Sequence, residues 1–173
     1  MAVPEFFNTI EQSGLSTWFR ESDSPFSFYF VLVFHTIGLA LLVGANAVVD
    51  LRILGVAQGI PLASLKRHFP IMWLGFWLNA ISGVFLLIAY PTKAFTNPVF
   101  YVKLSCIALA VIVMQKLKNR VFGDPALSET AMVARGTTLA KWSLVLWIGA
   151  ITAGRMLAYT FTWLLYGVYA HGG

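Results

Sequence analysis

Charge is scarce in this chain: acidic and basic residues together make up 11% of its 173 positions. Soluble domains carry roughly 25%, so a core wrapped in a charged surface is excluded. Cysteine is scarcer still. The single Cys106 lies inside an apolar run with no intrachain partner, which excludes an internal disulfide and leaves packing as its role. No basic residue precedes Arg20, so the start lacks the charged region of a signal peptide, and the first apolar span is expected to target the chain. There is no nucleotide-binding glycine loop, no His-Glu-x-x-His and no serine or cysteine nucleophile constellation, which argues against an ATPase or an intramembrane protease. Internal repeats, low-complexity tracts and a soluble domain are also lacking.

What is present is apolar: 58% of the residues, gathered into long runs. A helix needs about 20 apolar residues to cross a hydrocarbon core of roughly 30 Å, where lipid offers the backbone no hydrogen-bond partner. Four segments meet that length, at about residues 25–54, 70–90, 98–116 and 139–166. Their edges are punctuated by Ser24-Pro25, Gly55, Phe69-Pro70, Tyr90-Pro91 and Asn97-Pro98, with a less defined start for the last. The expected fold is therefore an all-α integral membrane protein, a single domain built as a four-transmembrane-helix bundle. Residues 4–20 alternate Phe6, Phe7, Ile10, Leu15 and Trp18 with polar groups, too short a stretch to span. They read as a short N-terminal amphipathic helix lying in the interface, or as a partly ordered tail, since Ser13-Gly14 interrupts the pattern.

The formal charge of +5 does not point to nucleic acid, because the basic residues flank the spans. Arg52, Lys66 and Arg67 lie in one connection, and Lys116, Lys118, Arg120, Arg135 and Lys141 in or beside another. The positive-inside rule makes those connections cytoplasmic and sets both termini on the outer, periplasmic side of a bacterial inner membrane.

Ionisable groups inside hydrocarbon are costly and so few that each is a candidate. His35 lies roughly 12 Å inside the outer end of the first span and Lys103 roughly 8 Å inside the third, so the two meet if their helices adjoin. Arg155 lies nearer the midplane of the fourth. His35 is either a neutral imidazole bonded to a neighbouring helix, a metal ligand or a proton carrier; Lys103 either snorkels to the interface or serves the site. Arg155 pairs with an acid, a carbonyl cluster or a ligand anion, and Asp50 is expected to pair with Arg52 or another cytoplasmic base. Helical phase sets His35, Gly38 and Asn46 on one arc, Gly75, Asn79, Ser82 and Gly83 on one face of the second span, and Thr152, Arg155, Tyr159 and Thr162 on one face of the fourth. Gly149, Ala150, Ala153, Gly154 and Ala158 would let a neighbouring helix approach closely. His68 falls at the opposite membrane face from His35, and His171 sits in a terminal His-Gly-Gly tail.

The stretches His35-Thr-Ile-Gly38, Asp50-Leu-Arg52-Ile-Leu-Gly55, Gly75-Phe76, Ser82-Gly83, Asn97-Pro-Val-Phe-Tyr-Val-Lys103, Leu146-Trp-Ile-Gly149 and Gly154-Arg155 cover most of the chain. Together they resemble a family of small bacterial four-span membrane proteins of unassigned function, which implies topology and no activity. A first-span histidine with a third-span lysine is similar, more distantly, to HemJ-type protoporphyrinogen oxidases; that resemblance implies a haem site at His35 and Lys103, though the surrounding residues differ. Copper-resistance membrane proteins of the CopD type are a second distant likeness, but Met72, Met114, Met132 and Met156 are scattered and form no copper relay with the one well-buried histidine.

The expectation that follows is a b-type haem protein engaged in electron transfer or an oxidation, His35 being the metal ligand, Lys103 the opposite ligand or a nearby cation, and Arg155 a partner for carboxylates. The competing expectation is a cofactor-free membrane subunit or transporter with an ion- or anion-binding centre. Expected partners are the lipid bilayer and either a second copy of the chain or a membrane redox partner, not nucleic acid.

Overall fold

A computed structural model of the protein describes residues 5–22, 24 and 28–170. Every regular element among them is helical: α1 (Glu5–Glu11), α2 (Gly14–Glu21), α3 (Phe28–Ile53), a 3₁₀ turn (Leu62–Arg67), α4 (His68–Ala89), α5 (Pro91–Phe95), α6 (Pro98–Arg120) and α7 (Glu129–Ala170). Three stretches are long and apolar enough to cross a membrane, Phe28–Ile53, Leu62–Ala89 and Pro98–Arg120. Large apolar side chains such as Leu74, Trp77, Val102, Leu109, Trp142 and Ile148 are exposed on α4, α6 and α7. That outward apolar surface is consistent with contact to a lipid bilayer.

The local chemistry at the helix ends explains where they stop. Gly55 takes φ +98° after α3, the Val56 amide bonds the Leu51 carbonyl at 2.9 Å and the Gly55 amide bonds the Arg52 carbonyl at 3.2 Å. This is the crossed pair of bonds that ends a helix on a left-handed residue, a conformation glycine adopts without the penalty a Cβ brings. At the start of α6, Asn97 Oδ1 accepts the Val99 amide at 3.0 Å, Pro98 fills the first helical position, and Asn97 Nδ2 donates to Thr160 Oγ1 of α7 at 2.8 Å. The cap thus fixes both the beginning of α6 and its level against α7.

Several boundaries differ from the sequence reading. The stretch from Pro25 to Ser27, where the first span was expected to open, lies outside the described residues. The second span begins at His68, directly from the 3₁₀ turn, with Pro70 inside its first turn, where a missing amide costs nothing. α6 continues past Lys116 to Arg120, and Lys118 and Arg120 then sit in its last turn beside the negative end of the helix dipole. α7 starts at Glu129, ten residues before the expected position, and runs for 42 residues, about 63 Å at 1.5 Å per residue. Its early start has a packing cause: Met132 is buried, and a Cβ at Gly136 would lie 3.1 Å from the Ile53 side chain, so this part of the helix covers the ends of α3 and α6.

The N-terminal stretch is two helices rather than one. Ser13 separates them, its Oγ donating to the Ile10 carbonyl at 2.6 Å and accepting the Ser16 amide at 3.4 Å. α2 docks on the end of α4, where Ser16 Oγ donates to the Ala89 carbonyl at 3.3 Å and Phe19 packs against Phe85 with ring centres 5.6 Å apart. The hydroxyl that interrupts the apolar pattern is thus the cap of the second helix.

The long helices form two hairpins, α3 with α4 and α6 with α7, which meet chiefly through α3 and α7. The half of the bundle where α3 ends and α4 begins, called the inner half for its expected orientation, is filled by Val49, Ile53, Leu65, Phe69, Met114, Leu117, Val121 and Ala140. Over that end lies a polar clasp: Arg52, 5% exposed, pairs with Glu129 and donates to the carbonyls of Ile60 at 2.6 Å and Gln58 at 3.0 Å. Asp50 is therefore not the partner of Arg52, contrary to expectation. Adjacent acid and base on one helix point about 200° apart at 100° per residue, and the guanidinium turns to the loop.

The closest approach in the bundle is between α3 and α4. A Cβ at Gly75 would fall 2.6 Å from the Leu42 amide nitrogen and 2.8 Å from the Gly38 carbonyl oxygen, both rigid backbone atoms; one at Gly38 would fall 2.7 Å from the Asn79 nitrogen. Gly75→Ala is therefore expected to cost roughly 1–3 kcal/mol by forcing the helices apart. Gly44→Ala, on the same helix pair with nothing within 4 Å of its Cβ position, is expected to be neutral or to stabilise by up to about 1 kcal/mol. Comparative unfolding of the two variants in detergent checks the contrast.

Candidate functional site

Above the packed inner half, the hairpins diverge and enclose a cavity of about 590 Å³. Pockets for small molecules and cofactors span about 300–1,000 Å³. Its walls are mostly apolar, with Leu39 and Leu42 from α3, Phe76, Val84 and Leu87 from α4, Phe100 and Ile107 from α6, and Trp147 and Ile151 from α7. His35, Lys103 and Arg155, singled out on three different helices, all line it. Asn79 of α4 adds a further polar group to the wall, and the lining contains no carboxylate among the described residues.

His35 is held from α4 at two points. Asn79 Nδ2 donates to its backbone carbonyl at 2.8 Å, and its Nδ1 lies 3.0 Å from Ser82 Oγ. A serine hydroxyl has one proton to give, and Ser82 Oγ lies within reach of the Leu78 carbonyl at 2.7 Å and the Asn79 carbonyl at 3.1 Å as well as of the imidazole. When that proton goes to either carbonyl, the serine oxygen accepts from Nδ1–H and Nε2 keeps a free lone pair. Among the described residues Nε2 makes no hydrogen bond. This is the arrangement in which a backbone-anchored partner fixes the tautomer of a metal-binding imidazole. The ring has room because residue 83 is glycine: a Cβ there would come 3.3 Å from His35 Cε1.

Lys103 reaches the cavity along α7. Its stem passes over Gly154, whose Cβ position lies 3.5 Å from Lys103 Cε and 3.8 Å from Nζ. Gly149, one turn and a half lower, faces Cys106 Sγ at 3.3 Å, so the small residues of α7 are what α6 packs on. Arg155 holds its guanidinium 5.6 Å from the centre of the Tyr159 ring, a cation–π distance, and no carboxylate among the described residues pairs with it. An aromatic face leaves the guanidinium donors free for an anion. Trp147, in the cavity wall, is buried and its indole N–H has no partner.

No protein-family model, curated protein or solved structure matches this chain. The chemistry of the site accordingly rests on the side chains themselves. Two basic side chains and one imidazole line an apolar chamber, which suits a flat or elongated apolar molecule bearing negative groups. Among the described residues no group of three His, Cys, Asp or Glu gathers to hold a bare metal ion.

His68 does not line the cavity. His68 opens α4 at the inner end, its Nδ1 3.2 Å from the Leu65 carbonyl, and His171 lies outside the described residues. Met72, Met114 and Met132 are buried in the inner core, away from His35. Ser82 and Asn79 were legible as a polar face, but their pairing with His35 was not, because it depends on how close Gly38 and Gly75 let the helices come.

Ser82→Ala removes the acceptor for Nδ1–H without adding bulk. The imidazole is then expected to lose its single tautomer, and ¹⁵N chemical shifts of labelled His35 should move from an Nδ1–H pattern to a mixture of both forms.

Proposed function

We propose that this chain is a four-span protein of the bacterial inner membrane that binds haem b, with His35 as axial ligand, and that it serves electron transfer or an oxidation. The observation that carries it is the imidazole of His35, with Nδ1 held against Ser82 Oγ and Nε2 without a hydrogen-bond partner among the described residues, in the wall of an apolar chamber of suitable size. The likeness of the His35 and Lys103 positions to those of HemJ-type proteins supports the same assignment. The residues fit the group: the His35 imidazole would hold the iron, the apolar walls would hold the macrocycle, and Lys103 and Arg155 would meet its carboxylates, with Lys103 the candidate for a second ligand. When bound, haem supplies one-electron chemistry. The chain's part is to bind it, exclude water through the Phe, Leu and Trp walls, and tune it through the Ser82 hydrogen bond to the ligand.

In this assignment α7 is the fourth span, with its first turns standing clear of the membrane on the cytoplasmic side, and α1 and α2 lie in the outer interface over the ends of α4 and α5. A second reading has a specific observation behind it. Arg155 and Lys103 line a chamber that holds no carboxylate among the described residues, so a cofactor-free subunit or transporter would bind an apolar anion there.

Purified protein should show a Soret band and, after dithionite, an α-band of b type; His35→Ala is expected to abolish or strongly shift both. Colourless protein that is stabilised by an apolar carboxylate, and loses that stabilisation in Arg155→Gln, would establish the second reading. Topology is checked separately. Single cysteines introduced at Lys66 and Arg135 in a Cys106→Ser background should react with an impermeant maleimide only from the cytoplasmic side of the membrane, and a cysteine at Thr96 only from the outer side.

A further inference from the structure

The inner half of the bundle holds a second polar group, distinct from the cavity and independent of what the cavity binds. Asp50 of α3 is 0% exposed, as is Ser143 of α7, and Asn46, one turn before Asp50, is 1% exposed. The Asn46 amide nitrogen uses both of its protons: one goes to Asp50 Oδ2, the other to Ser143 Oγ at 2.7 Å. Among the described residues Asp50 Oδ1 has no hydrogen-bond partner. None of these three residues lines the cavity.

Among the described residues no counter-charge reaches this carboxylate. Arg52, its nearest basic neighbour in the chain, is engaged by Glu129 and two loop carbonyls. Lys116, Lys118 and Arg120 of α6, Arg135 and Lys141 of α7, and Lys66 and Arg67 of the 3₁₀ turn are exposed, and His68 at the start of α4 is turned to the Leu65 carbonyl. A lone charge in such surroundings costs several kcal/mol. The position worsens it, since Asp50 is in the last turn of α3, where the free carbonyls carry partial negative charge. The group must be neutralised, and one carboxylate calls for one positive charge. The atoms beside it, a carboxylate and a hydroxyl, are hard oxygen donors suited to a proton or a small alkali cation rather than to a soft metal.

We propose that Asp50, with Ser143 and Asn46, is a binding site for a monovalent cation, a proton or a sodium ion, held at the unpartnered Oδ1. Leu62, Leu65, Phe69, Leu117 and Met132 close the inner end of the bundle, and Leu42 and Trp147, one turn outward from Asn46 and Ser143, separate the site from the cavity. A charge bound there is enclosed between the two.

The test uses the full chain in lipid nanodiscs, coloured or not, so that its outcome does not depend on haem. Thermal unfolding is followed in sodium chloride and in choline chloride of equal ionic strength, and infrared spectra are recorded in H₂O and D₂O. If the cation is sodium, the midpoint rises with sodium and not with choline, the dependence disappears in Asp50→Asn, and Ser143→Ala requires roughly tenfold more sodium for the same shift. If it is a proton, the native protein shows a deuterium-sensitive carboxylic-acid C=O band that Asp50→Asn removes, with no sodium effect. Should Asp50→Asn fail to fold, the native infrared spectrum and the Ser143→Ala titration still decide. The proposal is overturned if sodium and choline are equivalent and no protonated-carboxyl band is present, or if the sodium dependence or the band survives in Asp50→Asn.

Discussion

The backbone contact between Gly38 and Gly75 is the constraint on which the rest depends. With no side chain on either residue, α3 and α4 approach until a single added carbon would overlap main-chain atoms. That proximity is what lets Asn79 reach the His35 carbonyl and Ser82 reach the imidazole. Hydrogen bonds between membrane helices contribute about 0.6 kcal/mol on average, too little to hold two helices together against their own packing. The polar contacts therefore do not cause the approach; they exploit it, and they decide which way the histidine faces and which nitrogen carries its proton.

The two ends of the bundle are built on opposite principles. In the inner half, large apolar side chains from all four long helices interlock, and α7 extends back over the loops to place Glu129 against Arg52. In the outer half, a space is left between the hairpins, lined mostly by aliphatic and aromatic side chains with Lys103 and Arg155 among them. Glycine serves each half differently: at 38 and 75 it permits helix contact, and at 83 and 154 it leaves room for the side chains of His35 and Lys103.

Much of this was legible in the sequence where the physics is local. Apolar run length marks the spans because lipid demands an internally bonded backbone of sufficient length. Asn97-Pro98 and Gly55 mark helix ends because caps need one side chain or one backbone conformation. The three cavity residues stood out because ionisable groups in apolar runs are rare. Where the reading failed, distant residues decided. The early start of α7 follows from the surfaces of α3 and α6 that it covers. Ser13 looked like a break in one helix and is the cap of a second, a distinction set by the docking of Ser16 and Phe19 on α4.

Composition and periodicity by themselves determined the class of the molecule, an all-helical chain with long apolar helices, and its short roster of polar candidates. They did so because burial in lipid penalises every charge and every unbonded amide, one residue at a time. Only the tertiary structure decided the partners. Asp50 lies beside Asn46 and Ser143 rather than Arg52, Arg52 meets Glu129 across 77 positions, and His35 is oriented by a serine 47 positions away. Such pairings depend on helix rotation and level, which are fixed by packing surfaces that no single segment contains.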